Sequence, residues 1–403
     1  MLIQKHRKSL FFIFITVLID CIGFRIIYPV AATIITELSG ESINEAVVYS
    51  GWLMTSYAIM QFIFSPILGK LSDRFGRRPI LLLALFGLGL NYLILGYSSS
   101  LYWLFIGRTI AGVCGASITT AFAYVADISD AEHRSKNFGI ISSAIGIGFI
   151  IGPILGGVLS EFGTRVPFFV SAALAFINCV YGFLYLPESL KNFSKAKFSL
   201  REINPIQFIT YTKADSKLKF LFVVMLLFYL SAQVIPSIWP FYTKYKFSWN
   251  DLQTGYSIAC VGLLVALVKL LLVDFSQKQL GVKRAVYVGF VLNVTGLFLM
   301  AFASSTQTIG LSIVIYSLGG VTPTLLQASI SNIASSHKQG EVQGILTSLL
   351  SLSTIVTPFI STHLFYHFTK ATSIVSFSGA PFILAAALAF LSFIVYWLVP
   401  VKE

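Results

Sequence analysis

Long apolar runs, each closed by a short polar break, recur from one end of this chain to the other. A helical crossing of a bilayer takes roughly 20 mostly apolar residues. The runs read as twelve such spans, at about 10–33, 48–68, 79–99, 101–122, 137–160, 166–187, 218–243, 252–274, 284–303, 306–331, 341–365 and 377–400. The breaks between them are too short to hold a soluble domain. Mean hydropathy of +0.83, with 56% hydrophobic and 11% charged residues, puts the chain outside the soluble classes. The pattern predicts an all-α membrane protein.

The longest polar connector, 188–217, holds six basic residues and divides the twelve spans into two sixes. The expected domains are an N-terminal six-helix bundle (1–187), a linker (188–217) and a C-terminal six-helix bundle (218–403). The halves echo each other at an offset of 205 residues: Gly76 falls on Gly281, Gly139-Ile140 on Gly344-Ile345, and Pro153 on Pro358. Parallel repeats of this kind predict two pseudo-symmetric bundles, with a substrate path between them near the bilayer midplane and alternating access by rocking.

The charge of +12 changes the picture only once it is mapped. With the N-terminus in the cytoplasm, 21 Lys and Arg fall on the cytoplasmic side and four opposite, namely Arg165, Lys244, Lys246 and Lys370. Arg25, Arg108 and Lys269 complete the 28 and fall inside spans. Such asymmetry is the positive-inside rule; it predicts both termini in the cytoplasm and makes the basic balance a signal of topology, not of nucleic acid. The basic start and long apolar run lack a small-residue cleavage site and read as an uncleaved first span. Cys21, Cys114, Cys179 and Cys260 lie within predicted helices without metal-ligand spacing and read as free thiols. His363 and His367, four apart, read as ordinary polar residues near the membrane surface. No cofactor or metal is expected. A phosphate-cradling loop is missing, which argues against an ATP-driven pump, and no nucleophile–base pair suggests an enzyme.

Between the second and third spans runs Gly69-Lys70-Leu71-Ser72-Asp73-Arg74-Phe75-Gly76-Arg77-Arg78-Pro79, five charges and two glycines between apolar segments. Such a cluster belongs at the membrane–water boundary. It resembles the cytoplasmic loop motif of major facilitator superfamily transporters, which implies that fold. Glycines let the helices turn and approach. Asp73 can meet a helix N-terminus or a base, and Arg74, Arg77 and Arg78 can meet lipid phosphate or acid. The expected acidic partner is Asp127, forming a latch that holds the outward-facing state. A plain basic anchor is the alternative.

Arg108, in Gly107-Arg108-Thr109-Ile110-Ala111-Gly112, lies well inside the fourth span and should face the bundle interior with a partner. The resemblance makes it a proton-coupling or gating residue; the alternative is a structural ion pair. The fifth span carries Gly148, Gly152 and Gly156 at every fourth position, with Pro153 and Gly157 beside them. The stripe permits close helix contact and the proline bends the helix. It resembles the motif of the antiporter branch, where it shapes the domain interface.

Across nearly the whole chain, the sequence is similar to the tetracycline efflux proteins of the drug:proton antiporter branch. Met60-Gln61-Phe62-Ile63-Phe64-Ser65-Pro66, Ser231-Ala232-Gln233, Phe247-Ser248-Trp249-Asn250 and Gln339-Gly340-Glu341-Val342-Gln343-Gly344 carry that similarity. It implies that Tyr57, Gln61, Gln233 and Gln327 line the substrate path. The departures are instructive. Asn91 and Asn293 stand where those exporters have aspartates, Val265 where they have a histidine, and Lys269 where they have a glutamine. Asparagine cannot carry a proton in this pH range. Arg25 replaces a small residue. Asp20, roughly 15 Å into the first span, is the only acid deep in any span. Asp20 and Arg25 are about 140° apart around a helix and make poor partners within it. Either Lys269 pairs with Asp20 as a structural lock, or Arg25 and Lys269 form a positive site for an anion such as an organic acid or a carboxylate siderophore; the balance of lost acids and gained bases favours the anionic site.

The sequence therefore predicts a proton-coupled exporter of a small organic molecule in a bacterial cytoplasmic membrane, complete as a monomer. Its expected partners are a small-molecule substrate, protons and the lipid bilayer, with no nucleic acid. Asp20 and Arg108 couple protons. Arg25, Lys269, Asn91, Asn293, Tyr57, Gln61, Gln233 and Gln327 bind substrate. Gly69, Asp73, Arg74, Gly76, Arg77, Arg78, Asp127, Gly148, Gly152, Pro153, Gly156 and Gly157 gate. Uptake of an anionic metabolite or iron–siderophore is the alternative within transport, and a non-transporting receptor or sensor the alternative of another class.

Overall fold

A computed structural model describes residues 2–115, 117–130, 133–190, 216–333 and 339–398. The connector expected over 188–217 lies outside the described residues from 191 to 215. Among the described residues the regular structure is helical throughout. In order, the helices are α1 (Leu2–Ile26), α2 (Ala31–Ser39), α3 (Ile43–Phe75), α4 (Arg77–Gly96), α5 (Leu101–Cys114), α6 (Ser117–Ile128), α7 (Arg134–Ser160) and α8 (Val166–Tyr185). There follow α9 (Ser216–Ala232), α10 (Val234–Phe247), α11 (Asp251–Leu267), a π-helical turn (Val268–Leu272), α12 (Val273–Phe302), α13 (Thr306–Leu318), α14 (Val321–Ile333), α15 (Gln339–Thr369) and α16 (Ala380–Leu398). The backbone groups of a membrane segment must bond within the segment, so helices are the form such runs take.

Among the described residues, eleven apolar helical stretches are long enough to cross a bilayer. One of them, Asp251–Phe302, has 52 residues, enough for two crossings, and turns at Gly281 (φ 73°, ψ 161°). Divided there, the chain has the twelve spans that the hydropathy pattern predicts. Four spans are not the continuous helices expected. The first breaks at residues 27–30, the fourth at Gly115, the seventh at Gln233 and the tenth at Gly319-Gly320.

The 205-residue echo extends to these irregularities. Gly76 (φ 103°, ψ 153°) matches Gly281, and both leave the backbone in a region closed to other residues. Ser100 and Ser305 both hold extended N-cap conformations. Pro153 and Pro358 both sit inside long helices. The break at Gly115 matches that at Gly320. Gly76 joins α3 to α4, and Gly281 joins the two parts of α12, by the same device in each repeat.

Contacts group the chain into two compact units, one of Met1–Glu41, Ser56–Ile203 and Trp249–Ala259, the other of Ser42–Thr55, Asn204–Ser248 and Cys260–Glu403. In the first, α1 packs on α7 and α8, and α4 on α5 and α8. Its core gathers Phe12, Ile13, Val17, Leu81, Tyr124 and Val125. In the second, α9 packs on α15 and α16, and α12 on α13 and α16, around Leu221, Phe228, Phe290, Leu325 and Tyr396. Many large apolar side chains remain exposed, among them Leu83, Phe183 and Trp397, as lipid contact requires.

Gly76 is held by its backbone and by space, since an added Cβ would drive into the Glu188 carboxylate. Gly76→Ala is expected to cost about 1–3 kcal/mol and to lower the midpoint of thermal unfolding in detergent.

Candidate functional site

The polar groups inside the first unit centre on α1. Asp20 is half-buried, and it lies close enough to Tyr57, Tyr92, Cys21 and Cys114 to act on them electrostatically. Arg25 projects from another side of α1. Its guanidinium carbon stands 3.7 Å from the centre of the Phe149 ring on α7, with Phe24 at 5.6 Å and Tyr28 at 5.7 Å. Its Nε is buried without a hydrogen-bond partner. Arg108, on α5, is within electrostatic reach of Tyr28, Tyr57 and Tyr92. The structure thus gathers one carboxylate, two guanidiniums and three tyrosines in one unit. Sequence reasoning paired Arg25 with Lys269 and missed Tyr28 and Tyr92, whose only signal was helical spacing from Asp20, Arg25 and Asn91.

Tyr57 and Gln61 lie on α3 beside the broken fourth span. The Tyr57 ring packs 5.3 Å from Phe24, and Gln61 Nε2 donates to the Gly115 carbonyl at 3.4 Å. Gly112 and Gly115 leave room for Tyr57, because a Cβ on Gly112 would sit 2.7 Å from Met60 and one on Gly115 2.7 Å from the Tyr57 hydroxyl.

The two asparagines that replace acids do different jobs. Asn91 is fully buried, and neither atom of its amide has a hydrogen-bond partner among the described residues. Asn293, also buried, donates from Nδ2 to the carbonyls of Gly289 (3.0 Å) and Gly319 (2.7 Å). It therefore clips the break between α13 and α14. Its Nδ2 is engaged by backbone carbonyls, which gives the side chain a structural role at this break.

In the second unit, Lys269 is exposed on the π-helical turn between α11 and α12. The helix continues past it to Gly281, roughly 18 Å further at 1.5 Å per residue. Insertions of this kind recur at functional positions. Gln233 sits at the break of the seventh span as the N-cap of α10. Gln327 is exposed and donates to Gln343 Oε1 at 3.1 Å. His363 bonds the Phe359 carbonyl at 2.7 Å and packs edge-on to Trp52.

The loop between α3 and α4 is a tight ionic clamp. Arg77, almost buried, reaches Asp127 Oδ2 through Nε at 3.1 Å, Asp73 Oδ1 through Nη2 at 2.6 Å, and Ser72 Oγ through Nη1 at 2.6 Å. Glu188, which sequence reasoning missed, completes it. Its Oε1 accepts from the Arg77 N–H at 2.9 Å and from Ser189 and Leu190, and its Oε2 from the Arg78 N–H at 3.2 Å. The carboxylate caps the N-terminus of α4, where free N–H groups and the helix dipole favour a negative charge. Its signal was an acid just after the sixth span, at the edge of the basic connector. Ser189 Oγ also donates to Asp127, at 3.0 Å. Arg78 turns outward to the Phe183 carbonyl (2.6 Å), and Arg74 is exposed beside Phe75. Gly69 supplies the carbonyl that accepts from Ser72 Oγ.

The glycine stripe on α7 seats α1. A Cβ on Gly148 would lie 2.6 Å from Cys21 Cβ, and one on Gly152 2.6 Å from Arg25 Cβ; Gly156 faces the Ile26 carbonyl. Gly157 meets Leu252 on α11, and the Pro153 carbonyl meets Gly255. At this end of the unit Thr33 Oγ1 donates to Asp251 at 2.8 Å, and Arg165 pairs with Glu37 at 3.2 Å.

Twelve apolar helices, twofold repeated breaks and a clamped basic loop are matched by one sequence profile. That of the Major Facilitator Superfamily covers residues 13–215 and 221–403. The chain belongs to this superfamily. The tetracycline resistance protein, class C, of Escherichia coli is 33% identical over 386 residues, covering 96% of this chain and 95% of that protein. Multidrug resistance protein 2 of Bacillus subtilis (strain 168) is 30% identical, covering 90% of each. Among solved structures, the human organic anion transporter MFSD10 (TETRAN) aligns with a TM-score of 0.71 at 21% identity, covering 97% of this chain and 99% of that one, a likeness of fold. The protein is a multi-pass membrane transporter of this superfamily and not an enzyme.

Removing the cap should be felt locally. Glu188→Ala is expected to cost about 1–2 kcal/mol and to speed amide hydrogen exchange in the first turn of α4. Arg77→Lys should weaken the same loop, since a lysine cannot bridge Asp73, Asp127 and Ser72 in one planar fork.

Proposed function

We propose that this transporter exports small organic molecules from a bacterial cell in exchange for protons, with both termini in the cytoplasm and the six-span halves 1–187 and 218–403 moving about the linker 188–217. The observation that carries this reading is the grouping of Asp20 with Arg25 and Arg108 among aromatic side chains. Its relatives are named for resistance to tetracycline and to multiple drugs, which supports drug-like cargo and an outward direction. A transporter of either kind needs a group that changes charge, and Asp20 is the carboxylate placed to do so. Arg108 lies among the same tyrosines, Tyr57 and Tyr92, that Asp20 acts on.

Cargo bearing a negative group suits the site better than a cation. Arg25 stands over an aromatic ring, an arrangement that pre-orients a guanidinium for a carboxylate while leaving an apolar surface beside it. Lys269 adds charge to the wall of the path. An exposed lysine this deep in an apolar helix is tolerated where it faces water. Tyr57, Gln61, Gln233 and Gln327 supply neutral polar contacts along the path. The clamp of Asp73, Arg77 and Asp127 acts as a latch, and the α7 stripe as the surface on which the moving helices seat.

Everted membrane vesicles expressing the protein, energised by a proton gradient, test this with anionic fluorescein-type dyes against cationic phenanthridinium dyes. Anion accumulation is expected. Accumulation of cations alone would make Arg25 and Lys269 structural charges and return the reading to cationic multidrug export. Arg25→Gln is expected to abolish anion transport at normal expression, and Lys269→Gln to weaken it. Asp20→Asn should stop gradient-driven accumulation while leaving passive exchange of the same dye; parental coupling in that variant would remove Asp20 as the carrier.

A further inference from the structure

Several buried polar atoms of the first unit lack a hydrogen-bond partner among the described residues: Thr16 Oγ1 and Arg25 Nε on α1, Arg78 Nε, Asn91 Nδ2 and Oδ1 and the Tyr92 hydroxyl on α4, Thr120 Oγ1 on α6, and Asn178 Oδ1 on α8. Thr16, Asn91, Tyr92 and Asn178 are each at most 3% exposed. Contacts bring Thr16, Asn178 and Tyr92 together along α1, while Asn91 lies against Gly107 on α5. Asn178 Nδ2 donates to the Thr16 carbonyl at 3.0 Å, and Ser171 Oγ to the Gly23 carbonyl at 3.0 Å. A Cβ on Gly23 would lie 3.7 Å from the Tyr92 hydroxyl and 3.9 Å from Ser171 Cβ. The result is a polar seam where α1, α4 and α8 meet.

Asp20 belongs to the same face of α1. On an ideal helix it projects about 40° from Thr16 and about 60° from Gly23. Tyr92 is within its electrostatic reach on the seam side, and Tyr57, Cys21 and Cys114 on the other. Arg25 leaves α1 towards Phe149 on α7, and Arg108 approaches from α5. Asp20 therefore stands between the seam and the side of the unit that carries the two arginines.

A native interior does not leave so many adjacent donors and acceptors dry, and buried water is what satisfies them. We propose that the α1–α4–α8 seam holds a chain of water molecules and is the proton route to Asp20, separate from the path of the substrate. The chain runs to Asp20 from Thr16 and Asn178, which lie nearer the N-terminal end of α1, with Tyr92 on the far side of Asp20 at the level of Gly23. A proton crosses it by breaking one O–H bond on a water as the next forms, and the last transfer places it on the Asp20 carboxylate. The proposal rests on the reading of Asp20 as the carrier. It explains how a proton and a bulky organic molecule reach one helix without sharing a channel.

The intact protein in lipid nanodiscs, exposed to millisecond pulses of hydroxyl radical generated from water, tests the seam directly. Radicals form where water is, so Tyr92 should be oxidised despite its burial, while Tyr242, buried and bonded to the Met300 carbonyl at 2.6 Å, stays unmodified. In the double variant Thr16→Val, Asn178→Leu, labelling of Tyr92 is expected to fall to the level of Tyr242. Infrared spectra supply the second readout: the carboxylic-acid band lost in Asp20→Asn should shift rapidly in D2O, and slowly in the double variant. A Tyr92 as unreactive as Tyr242 in the parent protein would overturn the proposal. So would deuterium exchange at Asp20 that the double variant leaves unchanged. Failure of the carrier reading looks different: Asp20→Asn would keep coupled transport while Tyr92 remained labelled.

Discussion

A helix broken inside a membrane must find new partners for the backbone groups it frees, because hydrocarbon offers none. This chain breaks four of its spans and turns sharply at Gly76 and Gly281, and much of its buried polarity answers that demand. Glu188 takes the freed N–H groups at the start of α4. Asn293 takes carbonyls at the break between α13 and α14. Gln61 reaches the Gly115 carbonyl between α5 and α6, and Ser171 the Gly23 carbonyl near the end of α1. Residues that look functional by type are thus divided between those consumed by the backbone and those left over.

What is left over is informative because it is costly. Arg25 and Arg108 sit in the interior of the first unit, and Asn91, Tyr92, Thr16 and Asn178 hold buried polar atoms that have no partner among the described residues. Aromatic rings shoulder Arg25, lowering the cost of its burial without neutralising it. The second unit spends its corresponding groups differently, with Asn293 tied to backbone and Lys269 exposed on a π-helical turn. Pseudo-symmetry of the backbone therefore does not extend to the chemistry. The ionic clamp is also built once: at the 205 offset Asp73, Arg77 and Asp127 fall on Lys278, Val282 and Asn332.

The α7 stripe links these features to packing. Gly148, Gly152 and Gly156 let α1 approach until Arg25 lies against α7 and its guanidinium reaches Phe149. A larger residue at 152 would displace Arg25 itself, so the stripe positions the site as well as the helices. Its far end, with Gly157 and Pro153, seats the first turns of α11.

The sequence by itself determined the spans, the repeat, the basic loop and the stripe, because hydropathy, offset and spacing are linear properties that the bilayer converts directly into structure; which of the loop's three arginines meets Asp127 was left to the fold. It also singled out Asp20, Arg25 and Arg108, since charge within an apolar run stands out without any coordinates. Tertiary structure alone decided which helices break, that Glu188 rather than a local residue caps α4, that Asn293 Nδ2 is a backbone clip, and that Asn178 and Tyr92 meet α1 at Thr16 and Gly23. Those outcomes depend on contacts between residues as much as 162 positions apart. A linear pattern tells which residues are polar; only packing determines which of them already have a partner.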